Sequence, residues 1–159
     1  MLGLEIRALA LALVLPSLGA IAGECAPVPE NLEKAIHSYI AKLKAFEDCS
    51  ARRIQTSDAI TVVIYTAEGA CADFPARAKP GTCSNNWTRY MMGFVNHRVL
   101  PPLEVGGKGG FTDAAIKIAH GIVEVSGLTL GPNDALCCPS VPETKRFDFS
   151  QGGFSEIRP

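Results

Sequence analysis

The chain has 159 residues, with 15 basic against 16 acidic side chains, a formal charge of −1 and a sequence pI near 6.3. A near-neutral balance with no basic stripe excludes nucleic acid and anionic membrane surfaces as partners, because both need a clear excess of positive charge. Six cysteines in so short a chain make the redox compartment the first question.

Residues 1–22 have the three parts of a secretory signal. Arg7 and the free amino group supply the positive end. Ala8 to Leu15 is an unbroken apolar run, and Pro16 and Gly19 break it before the small-x-small site Ala20-Ile21-Ala22. The run is too short to span a bilayer, which takes about 20 apolar residues. Cys25 raises the alternative of a lipid anchor, but Glu24 stands where lipidation wants a small residue, so cleavage after Ala22 is expected. Removing 22 of 159 residues leaves 137, enough for one domain over 23–159 and too few for two. The expected location is the periplasm or the medium.

Residues 29–47 carry a helical stripe: Leu32, Ala35, Ile36, Tyr39, Ile40, Leu43 and Phe46 share one face. Pro29 suits the first helical position, and Glu30 and Lys34, four apart, support each other on the wet face. The chain beyond this helix reads as β throughout. Ile60 to Thr66 is rich in β-branched residues, as a buried strand wants. Trp87–Val95 and Arg98–Val105 flank an Asn96-His97 turn, and Pro101-Pro102 either confines the second of these strands to a sheet edge or interrupts it. Segments 111–119 and 122–130 flank a His120-Gly121 turn. Gly131-Pro132-Asn133-Asp134 makes another turn, and Thr144–Phe149 and Phe154–Ile157 close the chain around Gln151-Gly152-Gly153. The reading is an α+β domain: one N-terminal amphipathic helix packed on an antiparallel sheet of about six strands, cross-linked by disulfides.

All six cysteines, Cys25, Cys49, Cys71, Cys83, Cys137 and Cys138, lie beyond the cleavage site. In an exported chain an even number reads as three disulfides with fifteen possible connectivities. Cys71 and Cys83 bracket a Pro/Gly-rich loop and are the easiest pair to close. A helix over 29–47 would separate Cys25 from Cys49 by about 28 Å, far beyond the roughly 7 Å between α-carbons that a disulfide allows. That bond is therefore not expected. A bond from Cys49 to Cys137 or Cys138 would tie the helix end to the late strands, leaving Cys25 for the other.

Catalytic chemistry finds little support. His37 sits off the helix stripe, and His97 and His120 fall in hairpin turns. A triad or metal site assembled from His97 or His120 with Asp113, Asp134 and Ser140 has no supporting spacing, and no strained nucleophile turn such as G-x-S-x-G is present. Gly106-Gly107-Lys108-Gly109-Gly110 differs from a phosphate-binding loop, which needs Ser or Thr after the lysine and then a helix. Asn86-Trp87-Thr88 is a formal glycosylation triplet, though Trp87 reads as a strand residue facing the core. No cofactor or metal is implied.

Asp134-Ala135-Leu136-Cys137-Cys138-Pro139-Ser140 is the most distinctive segment. Adjacent cysteines allow a vicinal disulfide, two bonds to separate partners, or a soft-metal thiolate pair. Redox pairs commonly place two residues between the sulfurs, so structural cross-linking leads. With this motif the chain resembles exported bacterial proteins that include the mycobacterial LppP/LprE lipoproteins, which carry Asp-x-x-Cys-Cys-Pro-[Ser/Thr] between a late hairpin and a closing strand. Gly110 to Leu130 and Cys83-Ser84-Asn85-Asn86-Trp87 extend the resemblance over about half the chain. The group has no established activity, so the resemblance implies compartment and fold. Unlike those lipoproteins, this chain has no lipobox at Cys25.

The functional expectation is an exported, non-enzymatic domain that binds another envelope or secreted macromolecule, in the manner of inhibitors and immunity proteins. The alternative is a soft-metal or redox protein built on Cys137 and Cys138.

Overall fold

The computed structural model describes residues 25–69, 87–149 and 152–158. The signal segment, the Cys71–Cys83 pair and Asn86 lie outside the described residues.

Helix α1, Glu30–Leu43, is shorter than the apolar stripe implies. The Pro29 carbonyl starts it by accepting the amides of Leu32 and Glu33 at 2.8 and 3.0 Å. Lys44 ends it in a left-handed conformation, its amide turned back to the carbonyls of Ala41 and Ile40. Glu30 and Glu33 in the first turn and Lys42 in the last suit the helix dipole. Leu32, Ile36 and Ile40 form its buried face, and Lys34 donates to Glu30 at 2.5 Å on the wet side.

Beyond Lys44 the chain turns extended. Strand β1 (Ala45–Glu47), a 3-10 turn (Cys49–Ala51) and β2 (Arg53–Thr56) precede β3 (Thr61–Gly69), β4 (Trp87–Val95) and β5 (Arg98–Gly107). Among the described residues these five strands make one antiparallel sheet, ordered β1-β3-β4-β5 with β2 also on β3. Strands β6 (Thr112–Ala119), β7 (Ile122–Thr129), β8 (Val141–Asp148) and β9 (Ser155–Glu156) make a second antiparallel sheet in chain order. The α+β class holds, but two sheets replace the single sheet of about six strands. The helix packs on the first sheet alone.

The result is three layers, helix on first sheet on second sheet, and β3 is covered on both faces along most of its length. Val63, Tyr65 and Ala67 point to the helix and pack with Leu32, Ile36, Ile40 and Met92. Val62 and Ile64 point the other way and pack with Met91, Leu100, Val105, Phe111, Val123, Val125 and Phe147. A strand buried on two faces loses the polar alternation of a half-exposed one, hence the unbroken ITVVIYT run. Pro101 and Pro102 lie on the edge strand β5, where the register with β4 slips between Met91 and Gly93.

The structure overturns the expected disulfide geometry. Cys25 and Cys49 are bonded, with α-carbons 4.5 Å apart. The 14-residue helix climbs only about 21 Å at 1.5 Å per residue. Extended chain covers twice that distance per residue, so the few residues from Lys44 to Asp48 return most of the way to the helix start. Cys137 and Cys138 are bonded to each other, so neither links to Cys49 or to Cys25.

Candidate functional site

The stripe of β3 that faces the second sheet changes character along its length. Val62 and Ile64 are apolar; Thr66 and Glu68 are polar yet also buried. Their cross-strand neighbours change in step. Ile64 pairs with Met91, Thr66 with Arg89 and Glu68 with Trp87. The inter-sheet core therefore begins as hydrocarbon and ends in charge.

At the polar end Arg89 lies flat against Asp113 of β6 in a two-pronged pair, Nε to Oδ1 at 2.5 Å and Nη2 to Oδ2 at 2.7 Å. Its remaining nitrogen, Nη1, donates to the Thr66 hydroxyl. Both charged residues are buried, which is tolerable only because each answers the other and the fork matches the carboxylate. The pair joins the two sheets. In front of it opens a cleft of about 240 Å³ lined by Asp48, Arg53, Thr66, Glu68, Trp87, Arg89, Thr112 and Asp113 with Ala51. Burial raises the pKa of the Glu68 carboxyl, and the nearby Asp48 carboxylate pushes it further in the same direction. Trp87, expected in the core, is half-buried and forms part of this cleft.

Two segments singled out by sequence lie at the same end. Gly106–Gly110 covers the end of β5 and the start of its connection to β6, and its glycines answer to close packing or to a left-handed turn. A β-carbon on Gly106 would meet the Phe111 carbonyl oxygen at 2.1 Å, and Gly109 has φ +75°. The Lys108 amide donates to the Trp87 carbonyl at 3.0 Å. A second hollow, bounded by Trp87, Glu104, Lys108 and Phe111, adjoins this loop. The Asp134–Ser140 segment links β7 to β8, and Leu136 leans toward Gly109. Asp134 closes this loop on itself by accepting the amides of Gly131 and Ser140, both at 2.8 Å, and the Ser140 hydroxyl. These bonds, the Gly131 amide first, hold its carboxyl below the usual aspartate range. The Asp134 and Ser140 side chains thus hold this loop together, and the half-buried Pro139 follows the disulfide within it. Among the three options for adjacent cysteines the structure has the vicinal disulfide. Leu136, Cys137 and Cys138 are exposed, Leu136 at 66%.

The chain's three histidines lie elsewhere. His97 and His120 occupy left-handed turn positions, φ 63° and 50°, and both are exposed. His97 meets only the edge of Phe94 among the described aromatic rings. The length of β6 separates Asp113 from His120, about 20 Å of extended chain. Asp113, Asp134 and Ser140 share neither histidine's end of the sheets. His37 pairs with Glu33 on the exposed side of α1. Glu33, His37 and Glu47 lie close enough to share an ion, but both glutamates already hold Arg52.

No motif in the sequence marks Asp48, Arg53, Thr66, Glu68 or Arg89, and Asp113 stands out there only as a conceivable triad member. A usable signal is nonetheless present. Glu68 and Arg89 are charged residues inside strands otherwise fit for burial, and such a residue needs a partner across the core. No protein-family model, no curated protein and no solved structure matches this chain.

Proposed function

We propose that the chain is an exported, non-enzymatic binding domain whose recognition surface is the end bearing the cleft, the glycine connection and the vicinal-disulfide loop. The observation that carries the reading is the conversion of the inter-sheet core into a polar cleft behind a buried Arg89–Asp113 pair. A fold gains nothing in stability from ending its core in charge. Charges held this rigidly suit a surface that selects a partner by polar complementarity.

Several further features agree. Arg89 and Asp113 of the cleft are engaged with one another, and all three histidines stand away from it. No helix of the described residues is long and apolar enough to cross a membrane. The Cys25–Cys49 and Cys137–Cys138 bonds suit an oxidising compartment, in line with the signal-like N-terminus. Kinship with the LppP/LprE-like exported proteins belongs to the same proposal and rests on the Asp134–Ser140 motif.

Affinity capture from the exported-protein fraction tests the reading, with the wild-type chain set against a Lys108→Glu/Leu136→Asp variant. Both positions are exposed, so the variant keeps the fold. The reading expects a protein held by wild type and lost by the variant. Identical captures from the two baits would overturn it.

A further inference from the structure

The two disulfides among the described residues enclose very different lengths of chain. Cys25–Cys49 spans 24 positions with the whole helix inside its loop, and both cysteines are half-buried. Cys137–Cys138 joins immediate neighbours, and both are exposed. The chain-entropy gain from a cross-link grows with the number of residues it encloses, and a bond between neighbours encloses none. Nor does this bond hold its own loop. Asp134 Oδ2 accepts the amides of Gly131 and Ser140, both at 2.8 Å, so one carboxylate pins the chain on either side of the cysteines. The Ser140 hydroxyl donates to the same carboxylate, and the Cys138 amide donates to the Ala135 carbonyl at 2.9 Å. None of these contacts uses a sulfur. The bond therefore has little to do for the fold and stands where a thiolate can reach it. Exposed disulfides are the labile ones, whereas enclosed structural bonds resist reduction.

We propose that Cys137–Cys138 is a reversible thiol–disulfide exchange site whose reaction partner is a dithiol. One thiolate of the dithiol attacks one of the two sulfurs. The Cys137–Cys138 bond breaks, a mixed disulfide forms, and the other cysteine leaves as a thiolate that takes up a proton. The partner's second thiolate then attacks the partner's own sulfur in the mixed disulfide. That closes the partner's disulfide and releases the remaining cysteine, which is protonated in turn. Two electrons and two protons pass from the dithiol to the chain, and the reverse sequence restores the bond. A monothiol suits the site poorly, because the released cysteine is the adjacent residue and expels it again; a dithiol's second thiol completes the transfer. The dithiol is either a small molecule or a cysteine pair on another protein. This goes beyond the binding reading and does not depend on it.

The test exposes the oxidised full chain to dithiothreitol and to reduced thioredoxin, matched in thiol concentration, as a small and a protein dithiol. Samples are quenched with N-ethylmaleimide at intervals and mapped by mass spectrometry without further reduction. Cys137 and Cys138 should be alkylated at least about tenfold faster than Cys25 and Cys49, with the far-ultraviolet circular dichroism unchanged. Glutathione disulfide should then rejoin the pair. A Cys137→Ser/Cys138→Ser chain should keep the wild-type unfolding midpoint in denaturant. If thioredoxin is the faster reagent the site belongs to a protein dithiol, and otherwise to a small one; either supports the proposal. No opening of Cys137–Cys138 by either reagent overturns it, as does Cys25–Cys49 opening first or in step. So does a loss of the dichroism signal as the pair opens, a pair that does not rejoin, or a serine variant as destabilised as a Cys25→Ser/Cys49→Ser chain. The capture experiment uses the oxidised chain throughout, so its outcome bears on the binding reading alone.

Discussion

Arg52 has five N–H donors and uses all of them: two on Glu33, two on Glu47 and one on the Ala26 carbonyl, at 2.7 to 2.9 Å. One buried guanidinium thereby ties the N-terminal arm, the helix and β1 together beside the Cys25–Cys49 bond. Arg52→Ala would strand two partly buried carboxylates, and a loss of about 3 kcal/mol in denaturant-measured stability is expected, the scale for breaking such a pair from one side. The two glutamates that the fold perturbs act in opposite directions. The hydrogen bond from Arg52 lowers the Glu33 pKa, so Glu33 contributes stability that is present at neutral pH and is lost as pH falls below the ordinary glutamate range. Glu68 is raised, so the native chain keeps a proton that the unfolded chain has released. Its cost grows as pH climbs from the ordinary glutamate value through the raised one. Unfolding midpoints measured from pH 3 to pH 8 should show Glu33→Gln flattening the acid limb and Glu68→Gln flattening the decline above it. The same slopes in all three proteins would contradict both assignments.

At the scale of elements, the Cys25–Cys49 bond closes a loop across 24 positions that contains the whole helix. Chain-entropy arguments put its contribution at about 3 kcal/mol, so a Cys25→Ser/Cys49→Ser chain should unfold at correspondingly lower denaturant. Non-reducing peptide mapping should recover Cys25 joined to Cys49, and a Cys49–Cys137 or Cys49–Cys138 peptide would contradict the fold described. The hairpins are the most legible part of the sequence. The Asn96-His97 and His120-Gly121 turns sit where expected, and β4 has its expected bounds, because turn residues and alternating apolar runs are local signals. The helix end is not legible. Phe46 continues the 3.6-residue period beyond Leu43, and nothing in Lys44 announces the left-handed turn that stops the helix. A helix drawn on to residue 47 puts Cys25 and Cys49 out of reach of each other, and the shorter one brings them together. β1 and β2, of three and four residues, are too short to show a period and exist because β3 offers them a ladder. The division into two sheets depends on long-range pairing, which no local pattern encodes.

At the scale of the molecule, the three layers leave the two ends of the sheets unlike each other. One end holds the hairpin turns with His97, His120 and Gly152, and the other holds the cleft, the glycine connection and the vicinal-disulfide loop. The motifs at the second end are visible in the sequence as separate curiosities. Their convergence is not, because it depends on β5, β6, β7 and β8 running the length of two stacked sheets. A binding domain organised in this way should engage its partner asymmetrically. Hydrogen–deuterium exchange on the protein with and without the captured partner tests that most directly. Slowed exchange confined to residues 48–53, 66–68, 87–89, 104–113 and 131–140 is the predicted result. Protection centred on residues 96–98 and 119–122 would contradict the account.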